Sequence, residues 1–325
     1  MDEHILENLC AILNSGGGVL VLENADYEKA TESNLDKYLR RLNEKLLTPL
    51  VHPSSYTRIF DRVGEHNEPK IYLFGLAPKT LCTTRINLYL PKDKSVKQAT
   101  ANELHELLED SQDIVDDPRD PSNDLEKICK SQPTEFHFGE KIRFSEGNNI
   151  QFKCYSNGGK NKRNTEKTGI RWAEIPKYIS AFANADGGRI FLGVSDDGTV
   201  FGEGIDGISS RDMETIVERK VSEMFWMFPP KRGIHWNVHV CPVHGAPDSA
   251  VIIISVAGIK SCGVVFRSQP ESFYLSEEGS DGDKVEQYGF EEWKQKLTPK
   301  ENWKKEYEGL SIKFDVIYSL MHLSP

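Results

Sequence analysis

The stretch IPKYISAFANADGGRIFLGV, residues 175–194, decides how the rest of the chain is read. Its apolar residues Ile175, Ile179 and Phe182 recur at three- and four-residue spacing, which predicts a helix. Asn184-Ala185-Asp186-Gly187-Gly188 ends that helix, because Asn, Asp and Gly accept the positive φ of a tight turn. The apolar run 190–194 then predicts a buried strand. The same pattern stands at residues 5–22, ILENLCAILNSGGGVLVL. Ile5 pairs with Ile175, Leu9 with Ile179, Ala11 with Ala181, Asn14 with Asn184 and Gly17-Gly18 with Gly187-Gly188, all at one offset of 170 residues. A helix, a turn and a strand repeated at constant offset predict two similar lobes from an internal duplication.

The 325 residues suit two domains of ordinary size, each able to bury a core. With 38% hydrophobic and 28% charged residues, the chain has the composition of a soluble globular protein. No apolar run approaches the roughly 20 residues a membrane span needs, and the acidic start MDEHILENLC reads as an amphipathic helix, not a signal peptide. Six scattered cysteines without a close pair argue for reduced thiols, hence a cytoplasmic or nuclear setting. The net charge of −10 does not by itself point to nucleic acid.

The predicted lobes are 1–108 and 136–325. In the first, 23–50 is helix-like, Ile71–Phe74 and Ile86–Leu90 read as strands, and Thr100-Ala101-Asn102-Glu103 is a capping-box signature. Residues 109–135 read as an acidic linker, since 109–126 hold eight acidic residues and two prolines. In the second, a strand covers 149–155, a Ser210-capped helix runs to about Met224, and further strands lie near Trp236–Cys241, Val251–Val256 and Val264–Phe266. Strands interleaved with few helices give an α+β class.

The strongest electrostatic feature is the loop between the first strand and the repeated helix of the second lobe. It carries Lys160, Lys162, Arg163 and Lys167 against Glu166, with Lys153 and Arg171 at its ends. Lys and Arg on a Gly/Asn-rich loop can follow a phosphate backbone, and the alternative is an ordinary solvated loop. Phe225–Phe228 can stack bases or fill the core. Neither glycine turn supplies the GxxxxGK[ST] of a phosphate-binding loop, and both precede a strand, so ATP is not expected. His235, His239, Cys241, His244 and Cys262 lack the close pairs of a zinc knuckle. Glu203, Asp206, Asp212 and Glu214 follow the repeated strand, with Asp248 in a later turn; converging carboxylates can hold Mg2+ or Mn2+, and helix-start acids in solvent are the alternative.

These residues carry a resemblance. Leu13–Gly18, Glu23-Asn24, Tyr27 and Asn87-Leu88-Tyr89 in the first lobe, and Phe144-Ser145-Glu146, Ile150–Lys153, Tyr178–Asn184 with Gly187-Gly188, Val265-Phe266 and Trp293 in the second, resemble the N-terminal core of the Schlafen family. The resemblance implies a pseudo-dimeric, U-shaped core of two AlbA-like units with a basic groove that binds transfer or ribosomal RNA. It also implies metal-dependent endoribonuclease cleavage by three acidic residues, in a chain without the helicase-like region of long members. By position, the first acid falls at Asp206, the second at Arg211 with Asp212 beside it, and the third near Gly245 with Asp248 close by. The family's zinc ligands fall at Phe225–Phe228 and at Ser261-Cys262, so no zinc is expected.

Two readings follow. In one, Asp206, Asp212 and Asp248 form a hydrolytic site, with Asp206 and Asp248 holding Mg2+ or Mn2+. Lys153, Lys160, Lys162, Arg163, Lys167, Arg171, Arg219 and Lys220 then hold the RNA. In the other, the chain is a non-catalytic RNA-binding or regulatory protein that pairs with itself or with another Schlafen-like chain.

Overall fold

The structure is a computed structural model, and it describes residues 3–23, 37, 70–76, 81–100, 103–104, 106–108, 121–155, 170–205, 207–259, 264–276 and 284–296. In chain order the elements are α1 (Glu3–Asn14), β1 (Gly17–Glu23), β2 (Lys70–Leu76), β3 (Tyr89–Lys92), β4 (Ser95–Gln98), α2 (Pro121–Lys130), β5 (Phe136–His137) and β6 (Ile150–Lys153). They continue with α3 (Ile175–Ala183), β7 (Gly188–Leu192), β8 (Glu203–Gly204), α4 (Ser210–Ser222), β9 (Phe225–Trp226), β10 (Trp236–His244), β11 (Ser249–Val256), β12 (Val265–Phe266), β13 (Phe273–Ser276), β14 (Lys284–Gln287) and α5 (Phe290–Lys296). The class is α+β, as the sequence predicts.

The chain divides into two compact units. Unit 1 comprises Met1–Ile86, Thr100–His105 and Pro270–Pro325; unit 2 comprises Asn87–Ala99 and Glu106–Gln269. This division differs from the predicted lobes, because the chain after Gln269 joins the first unit. Trp293 on α5 is fully buried and its indole N–H donates to Thr83 Oγ1 at 3.0 Å, which ties the late segment to the early one. Part of the predicted linker is also ordered. Pro121 opens α2, Asp124 sits in its first turn and Leu125 is buried, so 121–130 has the start signals and the anchor a helix needs.

Unit 2 is built on a mixed six-stranded sheet of order β5-β10-β11-β7-β6, with β8 also on β11. The parallel pair β6 and β7 is joined through α3, β5 and β10 are also parallel, and the pairs β10–β11 and β11–β7 are antiparallel. One face is covered by α3 and α4, where Ile175, Ile179, Phe182, Met213, Val217 and Ile252 are essentially inaccessible. The other face packs Phe136, Phe152, Phe191, Val243 and Ile253. The alternation on β10 sends Trp236 and Val238 to the first core and Cys241 and Val243 to the second.

The repeated motif has the predicted elements in both units. Gly17 and Gly187 adopt matching left-handed φ of 86° and 82°. Asn184 ends α3, and its side-chain amide closes a two-point clamp on one backbone residue. Oδ1 accepts from the Val265 N–H and Nδ2 donates to the Val265 carbonyl, both at 2.8 Å. Asn14 does the same to Cys82, at 2.8 Å and 3.1 Å. The residue one turn earlier reinforces each clamp: Ser180 Oγ donates to the Val265 carbonyl at 2.7 Å, and Cys10 Sγ to that of Cys82 at 3.4 Å.

Thr100 and Glu103 form the predicted capping box, the Thr100 N–H donating to the Glu103 carboxylate at 2.9 Å and the Glu103 N–H to Thr100 Oγ1 at 3.4 Å. The predicted 86–90 strand is displaced to Tyr89–Lys92, where it pairs with β4. The predicted helix 23–50, apart from Glu23 and Lys37, and Trp303 lie outside the described residues. Among the described residues no helix is long and apolar enough to cross a membrane.

Candidate nucleic-acid interface

Four of the eight predicted RNA-binding residues fall in the described part of unit 2; Lys160, Lys162, Arg163 and Lys167 lie outside it. The β6–β7 crossover gathers a cationic cluster where β6 ends and α3 begins. Lys153 closes β6, Arg171 precedes a 3-10 turn at Trp172–Glu174, and Lys177 lies in the first turn of α3. Tyr155 and Tyr178 hold the cluster together. The Lys153 and Lys177 ammonium groups lie 5.5 Å and 4.9 Å from the Tyr178 ring centroid, and Arg171 lies 5.9 Å from that of Tyr155. Burial, and then the Glu174, Glu146 and Asp196 carboxylates, push the Tyr178 hydroxyl up to about 12. Both phenols therefore stay protonated and neutral beside the cations. Lys177 was not among the sequence candidates; the signal for it was its place next to Tyr178 at the start of the repeated helix.

Every one of these cations already holds a carboxylate. Lys153 pairs with Glu146 at 3.5 Å and Asp196 at 3.8 Å, and its side chain is only 20% exposed. It also donates to the Phe152 carbonyl, so its first role is to fix the end of β6. Arg171 and Lys177 share Glu174 at 3.4 Å and 3.8 Å. In the last turn of α4, Arg219 and Lys220 share Glu223 at 3.8 Å and 3.0 Å. Exposed pairs of this kind contribute about 0–1 kcal/mol each, so Arg171, Lys177, Arg219 and Lys220 can exchange a carboxylate for a phosphate at small cost. Lys220 is as enclosed as Lys153, at 20% exposure, but Lys153 holds two carboxylates and a carbonyl and is the least free to do so.

The acidic candidates among the described residues sit in different local settings. Asp212 sits in the first turn of α4 and bonds its cap: its N–H donates to Ser209 Oγ at 3.1 Å, and Ser209 Oγ donates to Asp212 Oδ2 at 2.7 Å. The N-cap is thus Ser209 and not the predicted Ser210, which is already helical. Ser209→Ala should lower stability by about 1 kcal/mol in urea unfolding, with Ser210→Ala near neutral, since only the former removes the cap. Asp248 is exposed in the β10–β11 turn with φ 59°, and its carbonyl accepts from the Ile205 N–H at 2.8 Å. Asp206 itself lies outside the described residues, yet its predecessor is bonded to Asp248. Glu214 is held by Arg232 at 2.8 Å. Glu203 is fully buried, accepting from the Tyr155 N–H at 2.6 Å, and acts as a structural acceptor. Among the described residues no group of three or more His, Cys, Asp or Glu is placed to hold a metal ion.

The other candidates resolve into packing. Trp226 is buried and its indole N–H donates to the Val221 carbonyl at 3.1 Å, while Phe225 and Phe228 are half-buried. Cys241 faces the second core and burial pushes its thiol up to about 11, opposite to what a metal thiolate requires. His239 and His244 are exposed, His244 stacking on His137 with ring centroids 4.9 Å apart. Cys262 lies outside the described residues. Gly187 and Gly188 are pressed against backbone: a Cβ at 187 would lie 2.7 Å from the Val256 carbonyl oxygen, and one at 188 would lie 2.6 Å from that of Asn149. These glycines allow close packing of the turn against neighbouring backbone.

Comparison with known proteins meets this geometry at the same place. Residues 146–279, which include both cation clusters and the repeated helix and strand of unit 2, match the family model described as Schlafen, AlbA_2. This segment is a divergent Schlafen-like domain. The chain is similar to Poxin-Schlafen of Monkeypox virus strain Zaire-96-I-16, at 24% identity over 313 residues, covering 88% of this chain and 57% of that protein. A second Monkeypox virus Poxin-Schlafen is similar to the same extent. The chain thus spans 57% of the length of the curated relatives it matches.

Proposed function

We propose that this Schlafen-like core binds structured, transfer-RNA-like RNA through the exposed cations of unit 2. The observation that carries this reading is that the Schlafen-matched segment brings Arg171 with Lys177, and Arg219 with Lys220, to exposed or half-exposed positions in pairs that cost little to open. Phosphate is the natural replacement for their carboxylates, and each contact releases counterions. The net charge of −10 opposes indiscriminate binding, so affinity depends on where the cations stand. The matching clamps of Asn14 and Asn184, one in each unit, support an internal duplication, and transfer or ribosomal RNA is the proposed ligand. Pairing with itself or another Schlafen-like chain and residence in the cytoplasm complete the proposal; zinc and ATP have no part in it.

Cleavage is the extension of this reading that Asp206 and Asp248 would carry. The Ile205–Asp248 bond favours these two over Asp212, whose carboxylate already serves the start of α4. They would hold Mg2+ or Mn2+, which supplies a water of lowered pKa and charge for the phosphodiester transition state. The capped Asp212 favours the second reading, a binding protein without catalysis. Incubating end-labelled transfer RNA with the protein, with Mg2+ or Mn2+ and with chelator, separates them. Discrete chelator-sensitive fragments that disappear in Asp206→Ala and Asp248→Ala, but persist in Asp212→Asn, are expected of the nuclease. Intact RNA that stays bound is expected of the binding protein, and RNA neither bound nor cut contradicts both.

A further inference from the structure

Arg267, just past β12 in unit 2, is exposed, and its guanidinium reaches two elements at once. Nη2 donates to the Ala173 carbonyl at 3.3 Å, in the turn that lies between Arg171 and Lys177. Nη1 donates to the Tyr89 hydroxyl at 3.4 Å, on the first residue of β3. Arg267 has no ion pair among the described residues.

The β3–β4 hairpin that begins at Tyr89 is basic. Its residues 89–98, YLPKDKSVKQ, hold Lys92, Lys94 and Lys97 against Asp93. Pro91 pairs with Val96 and Lys92 with Ser95, and Val96 packs on the core that α3 covers, so strand alternation turns Lys92 outward. Lys92 and Lys94 are exposed, and neither has an ion pair among the described residues.

Both groups of cations rest on one anchored base. The Tyr89 N–H donates to Ser180 Oγ at 3.1 Å, and the Asn184 amide donates to the Tyr89 carbonyl at 3.5 Å. The Arg267 N–H donates to the Asn87 carbonyl at 2.8 Å, and the Asn87 amide donates to the Gln269 carbonyl at 2.8 Å. Ser180 and Asn184 are thus shared with the Val265 clamp, just before Arg267. The backbone under these cations is set before a ligand arrives, which lowers the ordering cost of binding.

The chain has 50 acidic residues against 40 Lys and Arg. Arg171, Lys177, Arg219 and Lys220 all hold carboxylates, whereas Arg267, Lys92 and Lys94 hold none among the described residues. Such a set can take phosphates without first giving up a carboxylate. Strand rise puts Lys92 about 10 Å along β3 from Tyr89, a spread that suits a linear polyanion better than a compact anion.

We propose that Arg267, Lys92 and Lys94 extend the RNA interface of unit 2. Arg267 takes a phosphate beside Arg171 and Lys177, and the hairpin lysines take phosphates further along the same strand. The inference rests on the RNA reading and adds contacts to it, two of them outside the Schlafen-matched segment 146–279.

The test is transfer-RNA affinity of the full chain by fluorescence anisotropy at several potassium chloride concentrations. The Lys92→Gln, Lys94→Gln double variant should bind about tenfold or more weakly, with the salt slope flattened by about two contacts' worth. Arg267→Gln should flatten the slope by about one contact's worth, while Arg267→Lys, which keeps the charge, leaves it unchanged. An Arg267 that only braces the hairpin would lower the melting temperature in both variants and leave both slopes intact, which overturns its part. The Lys130→Gln, Lys141→Gln double variant removes the same charge beside β5 and should leave affinity and slope unchanged. An equal loss there would show bulk charge at work and overturn the proposal. If the hairpin and Arg267 variants match the unmodified chain while Arg219→Ala, Lys220→Ala weakens binding, this inference fails and the RNA reading stands. An unmodified chain that binds no RNA at low salt overturns both.

Discussion

Asn184→Leu is expected to destabilise unit 2 by about 3 kcal/mol, read as a shift of the urea midpoint at unchanged slope. Asn184 is 1% exposed, and its amide serves the N–H and the carbonyl of Val265, itself fully buried. Leucine has the same branching and number of heavy atoms with bulkier methyl ends, so no cavity accompanies the change and the effect combines the lost polar bonds with some crowding. The Val265 carbonyl keeps Ser180 Oγ at 2.7 Å, but its N–H is left without a partner in a site that water does not reach. Asn184→Asp should be as damaging, because it keeps the acceptor and faces a carboxylate oxygen to the Val265 carbonyl. The companion change Asn14→Leu should cost less, about 2 kcal/mol, since Asn14 is only half-buried although it bonds Cys82 and the Phe273 carbonyl. A cost below about 0.5 kcal/mol for Asn184→Leu would show that the clamp contributes nothing.

Gly187→Val should cost at least about 3 kcal/mol, for two separable reasons. The residue has φ 82°, which a β-branched side chain adopts at a penalty, and the added Cβ would meet the Val256 carbonyl oxygen at 2.7 Å and the Gly258 nitrogen at 2.9 Å. Both obstacles are backbone and cannot rotate away. Gly16→Ala separates the terms, because Gly16 has φ 104° with nothing within 4 Å of the Cβ position, leaving a conformational cost of about 1–2 kcal/mol. Thermal or urea unfolding of the two variants checks the difference. Equal costs would mean that the packing at Gly187 gives way and that the glycine pair is there for its conformation alone.

Much of the fold was legible because the repeated stretch has its period and its stop signals in one place. Ile175, Ile179 and Phe182 mark the buried stripe, Asn184 the cap and the glycine pair the turn, so helix, turn and strand followed within a residue or two. What the sequence concealed depends on distant partners. The division into units turns on Trp293 reaching Thr83, 210 residues away, and no local pattern encodes that. The helix at 121–130 was hidden by its acidic surroundings, since one buried residue, Leu125, carries its attachment. At the candidate interface, Arg171 and Arg219 are exposed and Lys220 is half-buried. The sequence could not show that each is already paired, nor that Lys153 is enclosed. Asp212 looked like a ligand because an acid three residues after a serine serves equally as a helix cap, and only the Ser209 bond distinguishes the two.

The central claim, that this Schlafen-like core holds RNA through exposed cations of unit 2, is tested most directly by the salt dependence of transfer-RNA affinity. Fluorescence anisotropy across a series of potassium chloride concentrations should give a falling log–log plot. In the Arg219→Ala, Lys220→Ala double variant the affinity should drop about tenfold or more and the slope should flatten by about two contacts' worth, while Ser210→Ala, on the same helix, leaves both unchanged. Affinity and slope identical in the double variant and the unmodified chain, or no binding at low salt, would contradict the claim.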